Sequence, residues 1–176
     1  MKSRTFIVCL LSEVLYTLYS GTVSPVTASV CTQSQSSPTT ISLSGKTEGR
    51  EQGCVSLNES RWTCSDLQSA INWIVESSVY SARECIEIRL PDGDHTITGQ
   101  TDLKNASVHL VGLGDYVTVQ CTYIADTSLN ESREIHTWYF DHSDSVAFNN
   151  IHFRSCGFPF RFDTIRNVYL NNCTFR

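Results

Sequence analysis

Val146-Ala147-Phe148-Asn149-Asn150-Ile151-His152-Phe153-Arg154 is echoed by Val168-Tyr169-Leu170-Asn171-Asn172-Cys173-Thr174-Phe175-Arg176, 22 residues later. Ile86-Glu87-Ile88 and Val108-His109-Leu110 stand at the same separation. A fixed period of 20 to 50 residues is the mark of stacked supersecondary units. Aligned positions then form columns, with Val146 over Val168, Phe148 over Leu170, Ile151 over Cys173 and Phe153 over Phe175. Each inward apolar side chain contributes about 1.5–3 kcal/mol when fully buried. Asn150 and Asn172 fall at a bend between two strands. Asn tolerates left-handed backbone there, and its amide can bond the amide of the next unit, so the pair is expected to form an inward-pointing ladder.

Working outward, the interval from Val108 to Val146 is 38 residues, one period plus 16. The excess is assigned to a surface insertion at Ile124 to His136, which is rich in polar residues and carries a glycosylation sequon at Asn130. Upstream, Ile86, Ile88 and Leu90 alternate with Glu87 and Arg89 as in a half-buried strand. Pro91-Asp92-Gly93-Asp94 is a turn. His95-Thr96-Ile97, Val108-His109-Leu110 and Val117-Thr118-Val119-Gln120-Cys121 continue the β character. One amphipathic helix is legible. Ser65-Asp66 caps it, Leu67, Ala70, Ile71 and Ile74 line one face, and it ends before Ser77-Ser78.

The N-terminal region has a different character. Lys2 and Arg4 precede the apolar stretches Phe6–Leu11 and Val14–Tyr19, and small residues surround Val26-Thr27-Ala28, the layout of a signal peptide cleaved after Ala28, with a site near Ser20 the alternative. Glu13 interrupts the apolar run, so the roughly 20 residues needed to span a bilayer are missing. Residues 29–53 are rich in Ser and Thr and read as a disordered linker. The resulting division is 1–28 signal peptide, 29–53 linker, 54–85 capping-helix segment and 86–176 repeat region. Localisation is expected to be extracellular or at the cell surface, with no membrane insertion after signal removal.

The chain of 176 residues carries a formal net charge of -5 and has no basic stripe, which argues against nucleic-acid binding. Eight cysteines are present, none in a C-x-x-C pair, so a zinc or thioredoxin site has no spacing to support it. Disulfides of an oxidising compartment are the alternative. Cys54 and Cys64 flank the helix start. Cys121 and Cys156 follow similar strands on neighbouring units, and both pairs are disulfide candidates. Removing the leader leaves seven cysteines and therefore an odd thiol. Asn58, Asn105 and Asn130 are expected to be glycosylated. Asn172 is not, because its ladder position and a central cysteine disfavour its sequon.

Leu67-Gln68-Ser69-Ala70-Ile71, then Ile86 through Ile97, then Val108-His109-Leu110-Val111-Gly112-Leu113-Gly114 resembles the opening of the pectin-lyase-like superfamily. The resemblance covers roughly residues 64 to 176. It implies a mainly β fold, a right-handed parallel β-helix of about three to four rungs with an N-terminal capping α-helix. The Asn-Asn rungs are similar to those of animal secreted or surface β-helix proteins of unassigned activity.

Pectinolytic members use clustered Asp residues on neighbouring rungs, and Asp141, His142 and Asp144 are the only catalytic candidates this resemblance suggests. The family's Asn-Thr-Asp, Asp-Asp and Gly-His-Gly motifs are missing, and a polar turn explains the cluster equally. Arg154 and Arg176 occupy matching outward positions, either as a basic ladder for an acidic glycan or as solvated surface arginines. Gly112-Leu113-Gly114 leads into a strand and so lacks the context of a dinucleotide loop. No metal or cofactor is expected.

Three functional readings follow: a non-catalytic extracellular module for glycans or proteins, a polysaccharide lyase or glycoside hydrolase with catalytic rungs beyond this chain, and the ectodomain of an anchored adhesin or receptor. An unfinished strand at Phe175-Arg176, with the odd thiol, gives the expectation of a fragment of a longer protein.

Overall fold

The computed structural model describes residues 38–44, 53–77, 85–98, 101–122, 136–156 and 158–176, with backbone alone at 136–137 and 158–159. The leader, the insertion and the Asn130 sequon lie outside the described residues. The protein is mainly β, with one helix and its strands gathered in parallel sheets.

The elements in order are β1 (Thr39–Leu43), β2 (Cys54–Asn58), β3 (Arg61–Cys64), α1 (Leu67–Glu76), β4 (Cys85–Leu90), β5 (Gly93–Thr98), β6 (Thr101–Lys104) and β7 (Ser107–Gly112). They continue with β8 (Val117–Thr122), β9 (His136–Asp141), β10 (Ser145–Asn149), β11 (His152–Arg154), β12 (Phe158–Asp163), β13 (Asn167–Asn171) and β14 (Thr174–Phe175). From β4 onward every third strand pairs in parallel. The first sheet has the order β13-β10-β7-β4-β1-β3-β2, the second β14-β11-β8-β5 and the third β12-β9-β6. Within the first sheet, β2 pairs antiparallel with β3 as a hairpin.

The 22-residue spacing is the register of four of the parallel pairs, β4–β7, β10–β13, β11–β14 and β9–β12. Ile86 pairs with Val108, Val146 with Val168, Phe148 with Leu170 and Phe153 with Phe175. Ile41, Ile88, Leu110 and Phe148 form one column, each at most 1% exposed. Aromatic rings fill the region inside the third sheet. Phe148 stacks on Phe160 with centroids 4.7 Å apart, Phe140 on Phe162 at 5.5 Å, and Phe153 on Phe175 at 5.1 Å. Trp138 and Phe140 are fully enclosed. Such ring pairs add about 0.5–1.5 kcal/mol each beyond the area they bury.

α1 lies against β5 and β6 and also touches β1, β2 and β3. Its buried residues are Leu67, Ala70, Ile71 and Ile74, as the periodicity indicates. Asp66 caps it by accepting the Ser69 amide at 2.8 Å, and Gln68 Oε1 accepts the Thr98 amide at 2.8 Å, tying the helix to β5.

Single left-handed residues close the strands. Asn105, His142 and Thr164 follow β6, β9 and β12; Asn150 and Asn172 follow β10 and β13; Ser155 follows β11. All have φ between 49° and 58°. One residue in this conformation reverses the side-chain direction and turns the chain into the next sheet.

Two expectations need correction. Residues 39–43 of the supposed linker form β1, which inserts in parallel between β4 and β3 and buries Ile41. Threonine favours extended backbone, so one enclosed apolar residue, Ile41, with Leu43 half-buried beside the core, suffices when both edges are paired. The 16 extra residues do not form a single insertion. Val119 and Trp138 are 19 apart where their partners Phe153 and Phe160 are seven apart, which places twelve between β8 and β9. The other four are the turn Leu113–Tyr116, since Val111 and Thr118 are seven apart where Asn149 and His152 are three apart. The expected amide ladder is present, Asn172 Nδ2 donating to Asn150 Oδ1 at 2.6 Å, with Asn172 exposed as its strand neighbour Leu170 is.

Candidate functional site

The Asp141–Asp144 cluster is a corner between the third and first sheets. Asp141 is the last residue of β9, His142 takes the left-handed conformation, and Ser143 is buried with its hydroxyl donating to the Ala106 carbonyl at 2.6 Å. His142 Nδ1 lies 2.8 Å from Asp141 Oδ1; the imidazole is 62% exposed and the carboxylate 15%. Asp144 lies 3.5 Å from Arg166 Nη1, and its backbone carbonyl accepts the Asn167 amide at 3.1 Å.

Register adds residues that the sequence kept apart. On the outer face of the third sheet Asp102, Tyr139 and Arg161 form one row, and Lys104, Asp141 and Asp163 form the next. Tyr139 donates its hydroxyl to Asp163 Oδ2 at 3.1 Å, and Arg161 Nη2 reaches the same oxygen at 3.0 Å. Lys104 Nζ lies 5.9 Å and Arg161 Cζ 5.1 Å from the centre of the Tyr139 ring. Desolvation, then the hydrogen bond to Asp163 and the charges of Asp141 and Asp163, push the Tyr139 phenol up to about 12 against the opposing pull of Arg161. It stays protonated at physiological pH and acts as a hydrogen-bond donor.

Asp144 and Asp163 are therefore each held by a neighbouring donor or cation, whereas Asp141 Oδ1 is buried beside the His142 ring without a hydrogen bond of its own. General acid–base work needs a carboxyl within hydrogen-bond reach of a bound substrate. The concavity lined by Gln68, Asn72, Val75, Glu76, Thr101 and Asp102 lies beside α1 and meets these rows only at Asp102. Among the described residues no three His, Cys, Asp or Glu side chains converge in a way that would hold a metal.

A second group of polar residues lies on the first sheet, on the side opposite the core. Glu87 and His109 are register mates at 8% and 3% exposure. His109 Nε2 lies 2.9 Å from Ser145 Oγ, His109 Nδ1 lies 3.6 Å from Cys85 Sγ, and Ser107 Oγ accepts the Ser145 amide at 3.1 Å. Burial lowers the imidazole to about 4 despite the nearby Glu87 carboxylate. Serine, histidine and glutamate make a familiar trio for nucleophilic catalysis, yet a nucleophile needs room for a reacting atom about 3 Å away. With His109 enclosed, the group serves as a structural tie between strands. The alternation at Val108-His109-Leu110 marked His109 as outward, and gave no sign that this outward face is itself buried.

The remaining sequence candidates are placed as follows. Cys54 is bonded to Cys64 across the hairpin, with Cα atoms 4.1 Å apart. Cys121 is bonded to Cys156, joining β8 to the residue after the next strand's corner, with Cα atoms 4.8 Å apart. Cys85 is also disulfide-bonded. Among the described cysteines Cys173 is free, and burial raises its thiol pKa and keeps it protonated. Asn58 and Asn105 are exposed. Arg154 is exposed beside the Tyr116 ring at 5.8 Å, and Arg176 pairs with Phe153 through its backbone amide, beside Arg154.

No protein-family profile, no curated protein and no solved structure matches this chain. Disulfides of this kind belong to an oxidising environment. Among the described residues no helix is long and apolar enough to cross a membrane.

Proposed function

We propose that this chain is a right-handed parallel β-helix of the pectin-lyase-like type, and that it works as a secreted, non-catalytic module presenting its outer sheet faces to glycans or extracellular proteins. The parallel pairing of every third strand at the 22-residue register supports the architecture. One observation carries the function: the polar and charged groups outside the third sheet stand in two rows, Asp102-Tyr139-Arg161 and Lys104-Asp141-Asp163, with Tyr139 and Arg161 paired to Asp163 across them. A surface of that kind offers many hydrogen-bond and charge contacts to an extended ligand and little to hold a transition state.

Glycan-array binding and extracellular-protein capture by the purified full chain test this reading. Selective retention of extended glycans or of a surface protein is expected. An absence of binding on both platforms sinks it. One observation keeps the rival carbohydrate-active reading in play: Asp141 lies in register with Asp163, one strand apart. Incubation with polygalacturonate, with and without Ca²⁺, separates the two, since the module leaves the polymer intact and an enzyme shortens it.

A further inference from the structure

We infer that Asn105 carries an N-linked glycan that screens the neighbouring corner, closing Asp141, His142 and Asp144 to polymeric ligands. The inference rests on the secretory reading above and sharpens it, because it withdraws the Asp141 end of the outer rows and leaves the Asp102-Tyr139-Arg161 row to an extended ligand.

The geometry at Asn105 favours the modification. Asn105-Ala106-Ser107 is an acceptor sequence, and Asn105 is exposed. Its φ of 57° places it at the turn after β6, where it stands clear of both strands that it joins. Its side-chain amide makes no hydrogen bond to a described residue, so the nitrogen is free to be substituted. The reaction is a glycosyl transfer from a polyprenyl diphosphate-linked oligosaccharide. A bond from Nδ2 to the anomeric carbon forms as the bond from that carbon to the diphosphate oxygen breaks, and the amide gives up one proton.

The same corner holds the carboxylates. The Asn105 amide donates to the Asp141 carbonyl at 3.0 Å, and Lys104 is the register mate of Asp141. Asn105 and His142 are therefore equivalent turn residues on adjacent strands, about 4.8 Å apart. An oligosaccharide is far larger than that spacing. Asn172 makes the contrast. Its Nδ2 already donates to Asn150 Oδ1 at 2.6 Å, and substitution would leave it a single N–H for that bond.

The test is secretion of the full chain from a eukaryotic host, glycopeptide mass mapping, and the rate of diethyl pyrocarbonate modification at His142, with His152 on the second sheet as reference. The expected result is a glycan at Asn105, none at Asn172, and His142 modified several-fold faster in Asn105→Asp with His152 unchanged. Asn105→Gly, which keeps the left-handed turn, repeats the measurement should the aspartate variant fold poorly. A secreted chain with a glycan at Asn58 and none at Asn105 overturns the inference while leaving the secretory reading in place. Equal His142 rates with Asn105 occupied overturn the screening. A chain retained in the cell without any glycan overturns the secretory reading, and this inference with it.

Discussion

Asn172 donates its side-chain amide to the side-chain oxygen of Asn150 at 2.6 Å, and the two residues share the left-handed backbone at φ 49° and 58°. Asn150 in turn donates to the Gly114 carbonyl at 2.6 Å, and Asn171 to Asn149 at 3.0 Å. The corner between the first and second sheets is thus held twice over, by conformation and by amides.

Those two contributions separate by substitution. Asn150→Gly loses the side-chain bonds and keeps an unstrained turn, at a cost of about 1–2 kcal/mol. Asn150→Ala loses both and should cost roughly 1–2 kcal/mol more. Urea denaturation measures the difference. Equal midpoints for the two variants would show that the backbone conformation contributes nothing.

Thr164 is a β-branched residue at φ 55° and is exposed, so its strain has no packing to justify it. Thr164→Asn should raise stability by about 0.5–1 kcal/mol. A thermal midpoint that falls would contradict this.

Gly112 has no room for a methyl group. A Cβ there would lie 2.2 Å from the Asn150 carbonyl oxygen. Gly112→Ala should therefore force the two strands apart and destabilise by about 1–3 kcal/mol. Hydrogen exchange at the β7–β10 ladder should show where the strain falls.

His109 gives the protein a defined acid sensitivity. Its pKa falls from 6.5 unfolded to about 4 folded. The unfolded state therefore binds the proton first, and stability is fully present above about pH 6.5 and lost as pH falls toward 4. The loss amounts to about 3 kcal/mol at most. His109→Gln keeps a hydrogen-bonding group beside Ser145 and should flatten this part of the profile. Urea midpoints at pH 7.5, 5.5 and 4.5 compare the two proteins, and parallel profiles would exclude the imidazole as the source.

The Cys121–Cys156 bridge closes a span of 35 residues that includes the segment between β8 and β9. Replacing both cysteines with alanine should cost about 2–4 kcal/mol. Free thiol at either position on peptide mapping of the native protein would remove the expectation.

The strands from β4 onward in the first and second sheets and α1 were legible in the sequence, because β4–β7, β10–β13 and β11–β14 keep the 22-residue echo, β5 and β8 alternate, and the helix keeps its i, i+3, i+4, i+7 spacing. The third sheet was not. β6 is four residues long, β9 lies just past the insertion, and β12 contains Pro159, which ordinarily argues against a strand. Without that sheet Asp141 looked like a turn residue, and its companions Lys104, Tyr139, Arg161 and Asp163 could not be placed beside it. Those rows exist only through register between strands 22 and 37 residues apart. β1 stayed hidden for a different reason. Its one enclosed apolar residue, Ile41, is too little signal without knowledge of the two strands that flank it.

Because each strand from β4 onward pairs with the third after it, length and cross-section vary independently in this molecule. Ser145 and Asn167 are register mates, so joining Ser145 directly to Val168 would excise one 22-residue unit of three strands and leave every remaining column aligned. A change of 22 residues alters reach alone. A change of one residue inside a strand would turn core side chains to the solvent, so such a lineage can lengthen or shorten freely by whole three-strand units and hardly at all by parts of one.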